Sequence, residues 1–294
     1  MESFWKNLLQ GVLLGITQGL TEFLPISSSG HLILIERLGG IKPSLFLNLT
    51  LHLGTLLAVV ILMRKSLWQV IRHPFSPQSG FLFFATLPTV FIAFLFLFFG
   101  KEILDGKYLP IGFLATSVLL FSSFLTTYKK EPKPLFLSST KMGKSALFKA
   151  LATGIMQGFA TLPGLSRSGS TISIMEMMGI EKKEATNFSF LLSLPIILGG
   201  TVMELLTFQG GESFAIETLL SGFITSFIFG FLSLKFMLRL LSKGNIPFAL
   251  YTLSLGIISF FIYCYIFCFY HFCYFNYPVG CILYLILCRY IEFS

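Results

Sequence analysis

Polar positions in this chain are bunched, and long apolar runs lie between the bunches. A helix needs roughly 20 apolar residues to cross a bilayer core of about 30 Å. Six runs are close to that length: 45–63, 80–99, 108–128, 186–206, 218–241 and 247–269. Each predicts a membrane-spanning helix. Two other stretches, 4–36 and 146–180, are apolar but broken in the middle by Pro, Gly and Ser. The first break reads Pro25-Ile26-Ser27-Ser28-Ser29-Gly30-His31. The second reads Pro163-Gly164-Leu165-Ser166-Arg167-Ser168-Gly169-Ser170-Thr171, with a helix-compatible stretch expected from Ile172. Non-helical backbone at membrane depth is tolerated only where it is buried in protein or faces a wet cavity.

The two breaks align without gaps at an offset of 139 residues. Over Gly15–His31 against Gly154–Ser170, seven of 17 positions are identical: Gly15/Gly154, Ile16/Ile155, Gln18/Gln157, Gly19/Gly158, Ser27/Ser166, Ser29/Ser168 and Gly30/Gly169. Average residue usage would give about one or two. The pattern predicts two homologous halves, about 4–128 and about 146–263, joined by a linker at 129–145. Basic residues mark the cytoplasmic ends of spans. Arg64, Lys65 and Arg72, then Lys129, Lys130, Lys133, Lys141 and Lys144, then Lys235, Arg239 and Lys243 are expected inside. If both broken segments enter and leave on one side, spans 45–63 and 186–206 run in opposite directions. The predicted architecture is an all-α polytopic membrane protein with two inverted-topology repeats and a site where the re-entrant breaks meet.

Composition agrees with the pattern. Of 294 residues 54% are hydrophobic and 12% charged, against roughly 25% charged in soluble domains. That excludes a soluble enzyme, a nucleic-acid module and a disordered chain. The net charge of +8 is then orientation signal rather than a nucleic-acid footprint, and no cleaved leader is expected from Met1-Glu2-Ser3. The five Cys all lie between Cys264 and Cys288. A zinc site there lacks a conventional ligand pattern. The stretch 264–294 reads as an atypical Cys- and aromatic-rich segment, dispensable for activity.

The breaks carry the chemistry. Arg167 lies in a Gly/Ser run before a helix, where backbone N–H groups, a helix dipole and a planar guanidinium suit phosphate. Ser166, Ser168, Ser170 and Thr171 add hydroxyls. Gln18 and Glu22 are four apart and share a helix face. An intramembrane carboxylate such as Glu22 needs a partner, a proton or a metal. His31 can act as base, acid or nucleophile. Structural readings stand beside these: Arg167 as a snorkelling hinge residue, Glu22 and His31 as helix-end caps. His52 is expected to make a helix–helix hydrogen bond near Asn48 rather than to act in catalysis; Glu176 could line the cavity, and Glu204 could face water at a helix end. A carboxylate, an imidazole and hydroxyls opposite an arginine-bearing anion nest are what hydrolysis of a phosphate anhydride requires.

These residues carry a resemblance. Gln18-Gly19-Leu20-Thr21-Glu22-Phe23-Leu24-Pro25-Ile26-Ser27-Ser28-Ser29-Gly30-His31 resembles the first signature of the bacterial undecaprenyl-diphosphate phosphatases of the bacitracin-resistance type. Pro163–Thr171 resembles their second, and His52–Val59 and Phe188–Leu192 are also similar. The resemblance runs from about residue 4 to about 263. It implies an inner-membrane hydrolase that converts undecaprenyl diphosphate to the monophosphate for peptidoglycan synthesis, with its site toward the outer (periplasmic) face. It also implies bacitracin resistance and a divalent cation (Mg2+ or Ca2+), held by Glu22 with Gln18. Carried over by position, Glu22, Ser28, His31 and Arg167 are catalytic; Gln18, Ser27, Ser166, Ser168, Gly169 and Thr171 bind substrate. Ser28 or His31 is the candidate nucleophile; Ser28 is favoured, with His31 as its base. The departure is Gln18, where the family also uses Glu; an amide cannot be a general base. A homodimer is expected, and no nucleic-acid partner. The alternative is a polyprenyl-phosphate transporter or flippase, since inverted repeats and broken helices also build transporters.

Overall fold

The computed structural model describes residues 2–99, 106–129, 135, 142–207, 215–239 and 244–275. Among these residues there are eleven helices and no sheet: α1 (Glu2–Phe23), α2 (Ser28–Gly39), α3 (Leu45–Leu62), α4 (Arg64–Arg72), α5 (Pro77–Phe99), α6 (Leu109–Lys129), α7 (Lys144–Phe159), α8 (Arg167–Met177), α9 (Lys182–Thr207), α10 (Ile216–Arg239) and α11 (Ile246–Phe275). Five are long and apolar enough to cross a membrane, namely α5, α6, α9, α10 and α11. The apolar α3 runs into α4 at a 77° bend at Met63, and the two together also reach the length and hydropathy of a span. The protein is an all-α, multi-pass membrane protein. The expected linker lies almost wholly outside the described residues, as does the Glu204 side chain.

The sequence pattern did not predict α4. It is too short and too polar to register as a span, yet its Arg72 guanidinium lies 4.8 Å from the Trp68 ring centre. Trp68 and Ile71 are exposed. A short helix with basic ends and exposed apolar side chains suits a membrane–water interface. The expected boundary at 263/264 falls inside α11, because Cys and aromatic residues continue a helix without strain. Tyr263 itself is tied in, donating to Gly106 O at 2.8 Å and accepting from Arg37.

Lipid gives helices no hydrophobic drive to associate, so close backbone approach through small residues matters. On α1, Gly11, Gly15 and Gly19 form a stripe against Thr218, Gly222, Ser226 and Gly230 of α10. A Cβ on Gly15 would lie 2.6 Å from Gly222 O, and one on Gly19 would lie 2.7 Å from Gly230 N. On α7, Gly154 and Gly158 seat the helix on α5 at Ala85, Pro88 and Ile92. These glycines are thus packing surfaces: they press α1 against α10 and α7 against α5.

Candidate active site

Each break is set by a proline and a serine. α1 ends before Pro25, and α7 ends before Pro163, where Gly164 turns at φ +86°. Both following helices are capped by serine, whose short side chain satisfies a free N–H of the first turn. Ser27 Oγ accepts from Gly30 N at 3.3 Å, and Ser166 Oγ from Gly169 N at 3.1 Å. These caps start the helices earlier than expected. α8 begins at Arg167 rather than at Ile172, and Ser28–His31 form the first turn of α2 rather than part of the break. Ser27 holds φ 70°, the left-handed region, which costs a non-glycine residue on the order of 1–3 kcal/mol. His31 helps to hold it there. The His31 backbone N and ring Nδ1 lie 3.3 and 2.6 Å from Ser27 O.

The breaks are clamped to each other and to α6. Ser168 Oγ donates to Leu24 O at 3.0 Å, tying α8 to the end of α1. Thr116 of α6 accepts from Ser166 N at 2.8 Å, and its hydroxyl lies 3.0 Å from Gly164 O. Gly112, one turn earlier, lets the Pro163–Gly164 turn touch α6; a Cβ there would sit 2.8 Å from Gly164 Cα. Neither Thr116 nor Gly112 stood out in the sequence, since a small residue and a threonine in an apolar helix carry no signal by themselves.

At the junction is a cavity of about 290 Å³. Glu22, Ser27, Ser28, Ser29, Ser166 and Arg167 line its polar side; Ala160, Leu165, Ile196 and Ile197 line its apolar side. The starts of α2 and α8 both open on it. The first N–H groups of a helix have no helical acceptor, so two helix N-termini present donors and positive dipole ends to one space. Glu22 is the hub. Its Oε1 accepts from Arg167 Nη2. Its Oε2 accepts from Gln18 Nε2 at 3.0 Å and Ser28 Oγ at 2.5 Å. The Glu22 side chain is 3% exposed and that of Arg167 18%, so the carboxylate is buried while the guanidinium reaches the cavity. Gln18 is fully buried, and its Oε1 has no hydrogen-bond partner among the described residues.

Not every expected residue meets the cavity. His31 is not the partner of Ser28. Its Nδ1 is bound to Ser27 O, so Nδ1 carries the proton, and its Nε2 lies 2.8 Å from the Tyr251 hydroxyl, which donates to it. The ring packs edge-on to Phe113. Residues three apart on a helix can meet, but here the ring is drawn to Tyr251 of α11 and Phe113 of α6. Ser28 bonds Glu22 instead. Thr171 is fully buried, with its hydroxyl 2.7 Å from Ser189 Oγ, and it joins α8 to α9. Ser168 and Gly169 serve the clamp and the cap. Glu176 does not line the cavity; its carboxylate accepts from Asn245 Nδ2 at 2.7 Å at the far end of α8. His52, expected in a helix–helix bond, bonds the Asn48 carbonyl of its own helix and lines the cavity. Gln157, the counterpart of Gln18, is 3.4 Å from Leu192 O and 3.5 Å from Thr89 Oγ1. The first broken segment carries the carboxylate and the second the arginine.

Comparison with known proteins bears on this geometry. The sequence model of the family described as bacitracin resistance protein BacA matches residues 11–258. The chain belongs to that family. It is 35% identical over 258 residues to a protein named undecaprenyl-diphosphatase from Carboxydothermus hydrogenoformans, covering 85% of this chain and 95% of that one. It is 37% identical over 256 residues to undecaprenyl-diphosphatase 4 of Bacillus thuringiensis subsp. konkukian, covering 86% and 96%. An archaeal relative of the same name, from Korarchaeum cryptofilum, is 34% identical over 269 residues, covering 85% and 97%. The matched span contains both breaks, the clamp on α6 and the glycine stripes, and stops before the Cys-rich segment.

Proposed function

We propose that this cavity hydrolyses undecaprenyl diphosphate to undecaprenyl phosphate and inorganic phosphate, as the names of its relatives describe for them. The observation that carries the reading is the shared carboxylate. Glu22 accepts the Ser28 hydroxyl and the Arg167 guanidinium at once, between two helix N-termini. A serine hydroxyl on a buried carboxylate is an activated-nucleophile arrangement. An arginine and free N–H groups around the same space stabilise the charge that spreads over a transferring phosphoryl group. In the proposed reaction the diphosphate takes Arg167 and the helix N-termini as donors, with Ser166 as a further hydroxyl. Ser28 Oγ attacks the terminal phosphorus and gives its proton to Glu22. The P–O bond to the prenyl phosphate breaks, and that phosphate leaves with the bonding pair. Water then frees phosphate from Ser28, and Glu22 returns the proton to Oγ. In this scheme His31 positions Ser27 and is not the base.

A divalent cation would find one carboxylate here. Both Glu22 oxygens are already engaged, and the free Gln18 Oε1 adds one neutral oxygen. No three His, Cys, Asp or Glu side chains gather among the described residues. These residues do not fit a resident metal, so a cation would have to arrive on the diphosphate oxygens, and none of the steps above depends on it.

The basic residues flanking the spans support insertion with residues 64–72 on the cytoplasmic side, and two inverted halves with the cavity opening toward the outer face of a bacterial inner membrane. That would let the enzyme recycle the lipid carrier of peptidoglycan synthesis and confer bacitracin resistance. The test is release of inorganic phosphate from undecaprenyl diphosphate by purified protein in detergent. Wild type should release it, and Arg167→Ala and Glu22→Ala should not. Lipid movement across vesicles without hydrolysis would instead make the protein a transporter.

A further inference from the structure

The chemistry assigned so far draws on α1, α2 and α8. α3 brings one more titratable group to the same cavity, His52. Its Nδ1 lies 2.8 Å from Asn48 O. A carbonyl only accepts, so Nδ1 carries a proton, and in the neutral imidazole Nε2 holds a lone pair. That lone pair has no partner among the described residues. His31 differs, since both its ring nitrogens are engaged. The His52 turn is also rigid. Its carbonyl accepts from Thr55 at 2.9 Å, and Gly54 packs so closely on α10 that a Cβ would lie 2.7 Å from Phe223 O.

The other polar groups around the cavity are donors to phosphate, or, in Glu22, an acceptor already filled. The charged groups facing His52 are Glu22 from α1 and Arg167 from α8. The α9 wall adds Ile196, Ile197, Gly200 and Thr201, none of which titrates. A free acceptor has no use for an ionised phosphate oxygen, which is itself an acceptor. The reactant that donates hydrogen bonds is water.

Resting on the phosphatase reading, we infer that His52 is a further catalytic residue whose Nε2 accepts a hydrogen bond from the attacking water and aims its oxygen at phosphorus. The balance is then complete. The water oxygen bonds phosphorus while the P–O bond to Ser28 breaks; Oγ recovers its proton from Glu22. Both water hydrogens stay on the product as dihydrogen phosphate, which gives up a proton on release to solvent.

The test compares His52→Leu and His52→Gln in full-length protein in detergent, with undecaprenyl diphosphate as substrate. Leucine removes the acceptor; glutamine restores one through its amide oxygen. His52→Leu should lower kcat on the order of 100-fold, the scale of a misplaced reactant, with KM falling alongside it and kcat/KM held, because only the second step is slowed. It should still release a rapid single equivalent of undecaprenyl phosphate, leaving phosphate on Ser28. His52→Gln should hold kcat within about ten-fold of wild type. Should His52→Leu fail to elute as a folded species, His52→Phe takes its place. Wild-type turnover in the leucine variant, a rise in KM with kcat kept, or glutamine as impaired as leucine would each overturn the inference while leaving the phosphatase reading intact. An inactive wild type would overturn both.

Discussion

Arg167→Ala should cost both activity and stability, and the stability loss should be recovered by removing Glu22 as well. The pair decides between two regimes. An exposed ion pair contributes about 0–1 kcal/mol, whereas removing one member of a buried pair costs about 3–5 kcal/mol because an uncompensated charge is left behind. Glu22 at 3% exposure is in the second regime. Without Arg167 its carboxylate keeps only the neutral donors Gln18 and Ser28. Arg167 at 18% exposure can turn to cavity water, so Glu22→Gln alone should cost about 1.5–3 kcal/mol, the order of a charge-assisted hydrogen bond. In the double variant no charge is stranded, and stability should return to within about 1 kcal/mol of wild type, as for other buried pairs replaced by neutral groups. Reversible unfolding of the four proteins in mixed detergent micelles gives the coupling energy, expected at about 2 kcal/mol or more. All three variants should release less than about 1% of the wild-type phosphate, since an interaction needed in the transition state contributes 10²–10³-fold or more. A double variant no more stable than Arg167→Ala would refute the buried-pair reasoning. Retained hydrolysis in Arg167→Ala would refute the role of the guanidinium.

Gly112→Ala touches no reacting group, yet its methyl would meet the Pro163–Gly164 turn. Overpacking of that kind costs about 1–3 kcal/mol, and kcat should fall about ten-fold or more as Arg167 is displaced; unchanged kinetics would show that the α6 clamp does not position the site. Gln18→Glu would place a second carboxylate where an amide now donates to Glu22 at 3.0 Å. Two adjacent carboxylates share a proton or a cation, so the chelator-stripped variant should be less active than wild type and should regain activity with added Mg2+; activity insensitive to chelator and cation would refute this. A stop codon after Phe275 should leave activity within about two-fold, whereas ending the chain before Tyr263 removes the tie to Arg37 and Gly106 and should lower the melting temperature measured in detergent.

Much of the site was legible in the linear pattern. Apolar runs of membrane length marked α5, α6, α9, α10 and α11, because only a helix satisfies its backbone in lipid and bilayer thickness sets its length. Two interruptions rich in Pro, Gly and Ser marked the functional segments, and Glu22 and Arg167 could be singled out because a charge at membrane depth needs a reason. The sequence also contained the caps, Ser27 and Ser166, although reading the breaks as wholly irregular hid how early α2 and α8 begin. Partnership was not legible. Ser28 and His31 both lie in the first signature, and nothing in their spacing says that one bonds Glu22 and the other Tyr251. That was decided by which face of α2 meets α1 and which meets α6 and α11. His52 looked like an ordinary helix contact until α3, pressed against α10 through Gly54, turned its ring into the cavity. Gly15, Gly19, Gly154 and Gly158, which the alignment paired across the two breaks, are contact surfaces. What the chain determines by itself is where helices form and stop, because capping, proline and hydropathy act over a few residues. Which side chains meet is set by helix–helix registry between segments more than 140 residues apart in sequence, such as Glu22 and Arg167, and only the packed structure fixes that registry.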